Sequence, residues 1–218
     1  MTILRRMDGS VNFSFYDLLA FSLGTVGSLT TEFMLSLDLL NSLTSTVRYE
    51  LDVTITYNGV YYNSKYGYFM VDDQASGYML NIAEYSTYST AGDSLIPKSN
   101  GRPWSTYDSD NDSLLTDSCA NIHSSAFWFG ACTDANPLGN YGDTNTGKGV
   151  NWNSLFGDTI SLDSIEFKIR PNVCPFGPSR TCNDCGPGKY VCSIPGEGTS
   201  CCTQPISSCQ ETSQPGPY

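Results

Sequence analysis

Charge is scarce in this sequence: Asp, Glu, Lys and Arg make up 15% of its 218 residues, and 11 basic side chains face 22 acidic ones. A chain of net charge −11 with no sustained basic stretch cannot neutralise phosphates, so nucleic acid is excluded as a partner and an anionic membrane surface is disfavoured. Long apolar runs are missing too. No stretch approaches the ~18 consecutive apolar residues of a membrane span, so no membrane insertion is expected. Met1–Arg6 lacks the apolar segment of a signal peptide and runs straight into Arg5 and Arg6. Histidine occurs once, at His123. Ser124 and Ser125 adjoin it, but adjacency in sequence does not set the geometry of a nucleophile and its base. The glycines of Gly139 to Gly149 are not followed by the Lys-Ser or Lys-Thr and helix of a phosphate loop. Scattered acidic pairs occur in any acidic protein and do not single out glycoside hydrolysis. The chain is therefore not expected to be an enzyme.

Cysteine is present and unevenly spread. Of nine, Cys119 and Cys132 stand alone in the body, while seven lie between Cys174 and Cys209. Such a tail reads as a disulfide framework formed in an oxidising compartment. Zinc would need paired Cys-x2-Cys knuckles, and only Cys182 and Cys185 form one. Seven cysteines cannot all pair among themselves, so one is free, pairs between chains, or has its partner elsewhere. The cysteines imply secretion, and the missing signal peptide is reconciled with it if this is a fragment of a longer secreted protein. Asn12-Phe13-Ser14 and Asn111-Asp112-Ser113 fit the glycosylation sequon, as in a glycoprotein.

The body carries clear local signals. Ser14-x-x-Asp17 followed by Leu18, Leu19 and Phe21 and ended by Gly24 predicts a short helix over 14–24, and Ser36 to Leu43 predicts another. Val47, Tyr49, Leu51, Val53, Ile55 and Tyr57 alternate with polar residues, the period of a half-buried antiparallel strand. Asn58-Gly59 supplies the two positive-φ residues of a type I′ turn, so the strand folds back on Val60 to Val71. Tyr78, Leu80 and Ile82 offer a third strand, and Ile160 to Ile169 a closing one. Between them, 91–152 is dense in Gly, Asn, Asp and Ser with little periodicity, which inside a compact domain points to function or to organisation by a metal or disulfide. Arg170-Pro171 ends the ordered body. The expected domains are 1–172 and a Cys-rich tail, 173–218.

Asp108-Ser109-Asp110-Asn111-Asp112 places three carboxylates at alternate positions, where they can converge on one hard cation. Calcium suits this, since it takes six to eight oxygens and accepts carbonyls and water beside carboxylates. The EF-hand pattern fails, because Ser113 stands where Gly makes the sharp turn and Cys119 where the bidentate Glu belongs. A polar turn with Asx caps is the other reading of the same residues.

The surroundings bear on that choice. Thr90-Ala91-Gly92-Asp93-Ser94-Leu95, Asn100-Gly101-Arg102-Pro103-Trp104-Ser105-Thr106, the acidic run and Cys119-Ala120 follow one another in an order that resembles the fibrinogen C-terminal domain family. Arg5-Arg6-Met7-Asp8-Gly9-Ser10-Val11-Asn12-Phe13, Arg48-Tyr49-Glu50-Leu51, Gly149-Val150-Asn151-Trp152 and Glu166-Phe167-Lys168-Ile169-Arg170-Pro171 extend the resemblance over about residues 2–171. It implies an α+β fold, a twisted antiparallel sheet with short helices and a loop-rich region for calcium and ligand, here without the family's N-terminal subdomain. It also implies a Cys119–Cys132 disulfide, worth roughly 3 kcal/mol on the chain-entropy model. The implied calcium ligands are the carboxylates of Asp110 and Asp112 and the carbonyls of Leu114 and Thr116, with Asp108 outside the set. The sequence has one more residue between Asp112 and Cys119 than the family pattern.

Lectin-type members, the ficolins and tachylectins, bind acetylated sugars beside this loop through a cis peptide before the second Cys, a His after it and several aromatics. The matching residues here are Phe127, Trp128, Ala131, Cys132 and Thr133, with Thr133 in the His position, Thr146-Gly147 in place of a Tyr-Ala pair and Asp158-Thr159-Ile160 in place of aromatics. An acetyl methyl needs an apolar cup and its carbonyl needs pre-aimed donors, neither of which Thr and Asp supply well. The run 127–129 reads either as a ligand-binding wall or as buried core beside the disulfide. The expectation is a secreted, calcium-dependent, lectin-like or adhesion domain that binds an extracellular glycan or protein. The alternative is a structural matrix or assembly domain in which calcium only stabilises. Homo-oligomers would form through N-terminal regions beyond this chain.

Overall fold

The computed structural model describes residues 1–172 and, in the tail, the backbone of 190–194, 198–202 and 209–211. Two compact units divide the chain at Arg170/Pro171. In the first, a seven-stranded sheet takes the order β2-β3-β1-β9-β4-β5-β6. Its strands are β1 (Thr2–Arg6), β2 (Val26–Gly27), β3 (Phe33–Met34), β4 (Tyr49–Tyr57), β5 (Val60–Val71), β6 (Leu80–Tyr85) and β9 (Ser164–Pro171), while β7 (Ala135–Asn136) and β8 (Asn151–Trp152) form a separate pair.

The alternation read in the sequence becomes β4, whose residues turn in and out in strict order from Tyr49 to Ile55. Leu51, Val53 and Ile55 on its inner face are buried. Asn58 and Gly59 take φ of 50° and 75°, and the hairpin closes with Tyr57 opposite Val60. Helix α2 (Leu37–Thr44) starts where expected, with the Ser36 hydroxyl accepting from the Leu39 amide at 3.3 Å. Helix α1 (Leu18–Leu23) is shorter than the 14–24 prediction. Asp17, not Ser14, caps it, accepting from Ala20 N–H at 2.7 Å, because the Ser14 amide and hydroxyl are both bonded to the Asn12 side chain. Strand β1 had no periodicity long enough to read, yet its Ile3 and Leu4 are buried at the centre of the sheet.

The irregular stretch is held by aromatics rather than by regular structure. Phe127 lies within 6.0 Å of Trp104, 5.3 Å of Trp128 and 6.4 Å of Phe167 on β9, ring centre to ring centre. Trp104 and Trp128 meet edge to face at 4.7 Å. Such pairs add about 0.5–1.5 kcal/mol each beyond area burial. Trp128 also donates its indole N–H to Tyr78 O at 2.8 Å. Helices α3 (Cys119–His123) and α4 (Asn153–Phe156) are single turns within this region.

A buried carboxylate fixes the far end of the sheet. Glu32, in the β2–β3 connection, is 0% exposed. Its Oε1 accepts the amides of Met7, Asp8 and Gly9, each at 2.8 Å, and its Oε2 accepts Val11 N–H at 3.0 Å and the Arg6 guanidinium at 2.6 Å. Arg6 in turn donates to Gly139 O at 2.8 Å. Gly27 permits the approach: with φ of 88°, a Cβ there would lie 2.2 Å from Glu32 O. Burial alone would push the Glu32 carboxyl up, but the surrounding amides outweigh it and hold it below the ordinary carboxylate range.

In the second unit, β10 (Tyr190–Ile194) is central in a three-stranded sheet between β11 (Gly198–Cys202) and β12 (Cys209–Glu211), antiparallel to both. Cys192, Cys201, Cys202 and Cys209 lie on these strands, but the cysteine side chains, and with them the expected disulfide framework of the tail, lie outside what the structure describes.

Because the folded-state pKa of Glu32 is depressed, its contribution is present above the unfolded value of about 4.3 and is lost as pH falls through the folded value. Glu32→Gln should lower stability at neutral pH by about 3–5 kcal/mol, the cost of leaving a buried charge uncompensated, read as a fall in the urea midpoint. The variant should then lose less further stability on acidification than the parent, and equal acid losses in the two would clear Glu32 of this role.

Candidate functional site

The acidic loop leaves the core at Ser105, which pairs with Phe127 through reciprocal backbone bonds of 2.9 and 3.2 Å. The Asp108 carboxylate is used for structure: it accepts from the Thr106 hydroxyl at 2.6 Å and from Leu18 N–H, in the first turn of α1, at 3.0 Å. Asn111 anchors the loop inward, its side-chain amide donating to Trp104 O at 2.9 Å and to the Ser109 hydroxyl at 3.1 Å.

Asp110 and Asp112 are brought together. The Asp112 amide donates to Asp110 Oδ1 at 3.2 Å, while the Asp112 carboxylate accepts from Leu114 N–H at 2.8 Å and from Cys119 N–H at 2.7 Å. Partial burial, assisted by the neighbouring Asp110 charge, pushes the Asp112 carboxyl above its ordinary range, against the pull of the two amides. Neither carboxylate is among the ion pairs found in the described residues. The carbonyls of Leu114 and Thr116 accept no hydrogen bond there either. No cluster of three or more His, Cys, Asp or Glu side chains with metal-binding geometry occurs among the described residues. The two carboxylates and the carbonyls of Leu114 and Thr116 are all oxygen donors, the kind of atom a hard cation takes.

The loop is tied to the disulfide segment behind it. Ser113 N–H donates to Gly130 O at 3.0 Å, and Cys119 and Cys132 form a disulfide, as the family resemblance implies. The Ala131–Cys132 peptide is cis. Phe127 and Trp128 are 0% and 1% exposed, so their side chains lie in the core and only Ala131, Cys132 and Thr133 reach the surface. Thr133 is occupied with its own turn, donating from its hydroxyl to Ala135 O at 2.7 Å.

Gly147 and Asp158, two of the positions set against the family's lectin members, lie close to His123, a residue to which the sequence alone assigns no role. Gly147 N–H donates to Asp158 O at 2.7 Å. The His123 imidazole stacks on Phe129 at 5.7 Å and places Nδ1 2.8 Å from Gly147 O. At Gly147, φ is 70° and a Cβ would sit 2.6 Å from the imidazole. The side chain of Asn136 closes the group, donating to Gly147 O at 3.0 Å and to His123 O at 3.1 Å. Burial pushes the His123 pKa down, with the Gly147 carbonyl opposing. The imidazole thus packs directly against Gly147 and leaves no room there for a side chain. The glycine at 147 was the one signal of this in the sequence.

Exposed apolar side chains flank the acidic loop. Phe15 is 77% exposed, Leu19 64%, Leu23 69%, Tyr107 48% and Leu115 98%. The Asp108–Leu18 bond joins the two segments that carry them. No helix of the described residues is long and apolar enough to cross a membrane.

Comparison with known proteins places this geometry. The family model described as fibrinogen beta and gamma chains, C-terminal globular domain, matches residues 1–172. Mouse tenascin is 39% identical over 172 residues, covering 79% of this chain and 8% of tenascin. Fibrinogen-like protein A of Apostichopus parvimensis is 38% identical over 171 residues, 76% of this chain and 58% of that protein. The sequence therefore spans less than two thirds of either relative. Among solved structures, the fibrinogen-like globe domain of human ANGPTL6 superposes with a TM-score of 0.73 at 32% identity, over 78% of this chain and 77% of that one. With the family model, the sequence relatives and the globe fold in agreement, the protein belongs to the family of the C-terminal globular domain of the fibrinogen beta and gamma chains, an extracellular, non-enzymatic fold of the adhesion and recognition kind.

Proposed function

We propose that this protein is a calcium-stabilised extracellular recognition domain whose ligand is another protein, engaged through the loops around Asp108 to Tyr141 and the exposed face of α1. The observation that carries the cation is the pairing of Asp110 and Asp112 without a basic partner, next to the free carbonyls of Leu114 and Thr116. Calcium there would neutralise two adjacent carboxylates and stiffen a loop already tied to Cys119 and Gly130. The aromatic and aliphatic residues beside it are of the kind that dominate protein interfaces. Against an acetylated sugar stand the His123 ring, packed on Gly147, and the internally bonded Thr133 hydroxyl. A glycan ligand is the second reading, supported by the family's lectin-type members and by the surface position of Ala131, Cys132 and Thr133. Assembly with calcium in a purely stabilising role is the third, and homo-oligomers would be organised by segments outside the described fold.

Calcium at a hundred times its dissociation constant adds about 2.7 kcal/mol of stability, a rise of about 5–10 °C in melting temperature for a domain of this size. Asp110→Asn combined with Asp112→Asn should abolish that rise, and an unchanged rise would place the ion elsewhere. On a glycan array read with calcium and with chelator, no calcium-dependent signal for acetylated sugars is expected. Extracellular matrix extract should instead yield a bound protein whose capture weakens at least tenfold on Phe15→Ser with Leu19→Ser. A calcium-dependent sugar signal, with protein capture indifferent to those substitutions, would favour the glycan reading.

A further inference from the structure

Two segments carry the same three-residue acceptor pattern for N-linked sugar, and the fold treats their asparagines differently. Asn111 is spent: both hydrogens of its side-chain amide are donated, to Trp104 O and to the Ser109 hydroxyl, and its main-chain N–H donates to the Ser105 hydroxyl at 3.1 Å. A sugar replaces one of those amide hydrogens. It would therefore undo a bond that seats the acidic loop against the buried Trp104.

Asn12 is free at the same atom. Its residue is exposed, and its Oδ1 accepts from Ser14 N–H at 3.1 Å and from the Ser14 hydroxyl at 2.7 Å. Its Nδ2 donates to no atom among the described residues. Phe13 beside it is 1% exposed, which anchors the backbone and leaves the asparagine facing outward. Asn12 borders a pocket of about 210 Å3 lined by Arg6, Gly9, Val11, Asn140 and Tyr141. That is below the ~300–1,000 Å3 of a free-ligand site, but within reach of a group tethered at its edge. Tyr141, 37% exposed, offers the ring face and Asn140 the amide with which a pyranose can stack and hydrogen-bond. Arg6 retains an Nε–H without a partner.

We infer that Asn12 carries an N-linked glycan whose innermost sugar covers the Arg6–Tyr141 pocket, and that Asn111 stays bare. In the transfer, Asn12 Nδ2 forms a bond to C1 of a lipid-pyrophosphate-linked oligosaccharide. The bond from C1 to the pyrophosphate oxygen breaks, the lipid pyrophosphate departs with the electron pair, and the amide loses one proton. The inference rests on the extracellular nature of the family and is independent of the cation, so either can fail alone.

The test uses the full chain behind a cleavable secretion leader in mammalian cells. Secreted and retained fractions are digested with peptide N-glycosidase in heavy-oxygen water and mapped by mass spectrometry. Isotope-marked Asp is expected at position 12 and none at 111. Asn12→Gln and Ser14→Ala should each abolish the gel shift on digestion, while Ser14→Thr and Asn111→Gln should keep it. An unmarked position 12, or a marked 111, overturns the assignment. For the pocket, removing the glycan should lower the melting temperature by about 2–4 °C, and this difference should vanish in Tyr141→Leu. An equal difference in both backgrounds overturns the contact with the pocket.

Discussion

A single carboxylate with no access to water gathers four backbone amides and one guanidinium, and the N-terminal end of the domain depends on it. Glu32 belongs to the β2–β3 connection, its amide donors to the turn after β1, and its guanidinium partner to the end of β1. Arg6 carries the connection on to Gly139, 133 residues away in sequence. Burying a charge is costly unless it is paired and hydrogen-bonded, and here each oxygen of the carboxylate has more than one donor. The edge of the sheet and the loop region behind it are thus registered on one point.

From that point the fold becomes progressively less regular but not less packed. The aromatic contacts of Phe127 run from Trp104 at the root of the acidic loop to Phe167 on β9, so the long loop region is backed by the same core as the sheet. The disulfide and the Ser113–Gly130 bond then clamp the loop to the segment beneath it. Rigid support under irregular surface segments is the usual way recognition loops are presented.

The hairpin of β4 and β5 was legible because alternation and Asn58-Gly59 encode it locally. The adjacency of Asp110 and Asp112 was legible because alternate positions are a local pattern too, and the Asx turn that the same residues allow is what joins them. The helix over 14–24 was half legible. Its stop at Gly24 agrees with the structure, but the choice of cap between Ser14 and Asp17 was decided by Asn12, whose side chain had already claimed Ser14. Strand β1 was hidden, since five residues between two neighbours in a sheet need no periodicity. The role of Glu32 was equally hidden, because nothing in its sequence surroundings announces partners more than 20 residues away. The aromatic run 127–129 could be read either as a wall or as core, and only the neighbours Trp104 and Phe167, distant in sequence, decide for core. His123 shows the same limit, as its meaning comes from a glycine 24 residues away.

The bond from Asp108 to Leu18 N–H joins the acidic loop to α1, the helix that displays Leu19 and Leu23 to solvent. Two surfaces that share a bond share its free energy. Whatever fixes the loop in the geometry that makes this bond also fixes the first turn of α1, and whatever docks on α1 favours the same loop geometry. By thermodynamic linkage, the degree to which order in the loop orders this turn is also the degree to which order in the turn orders the loop.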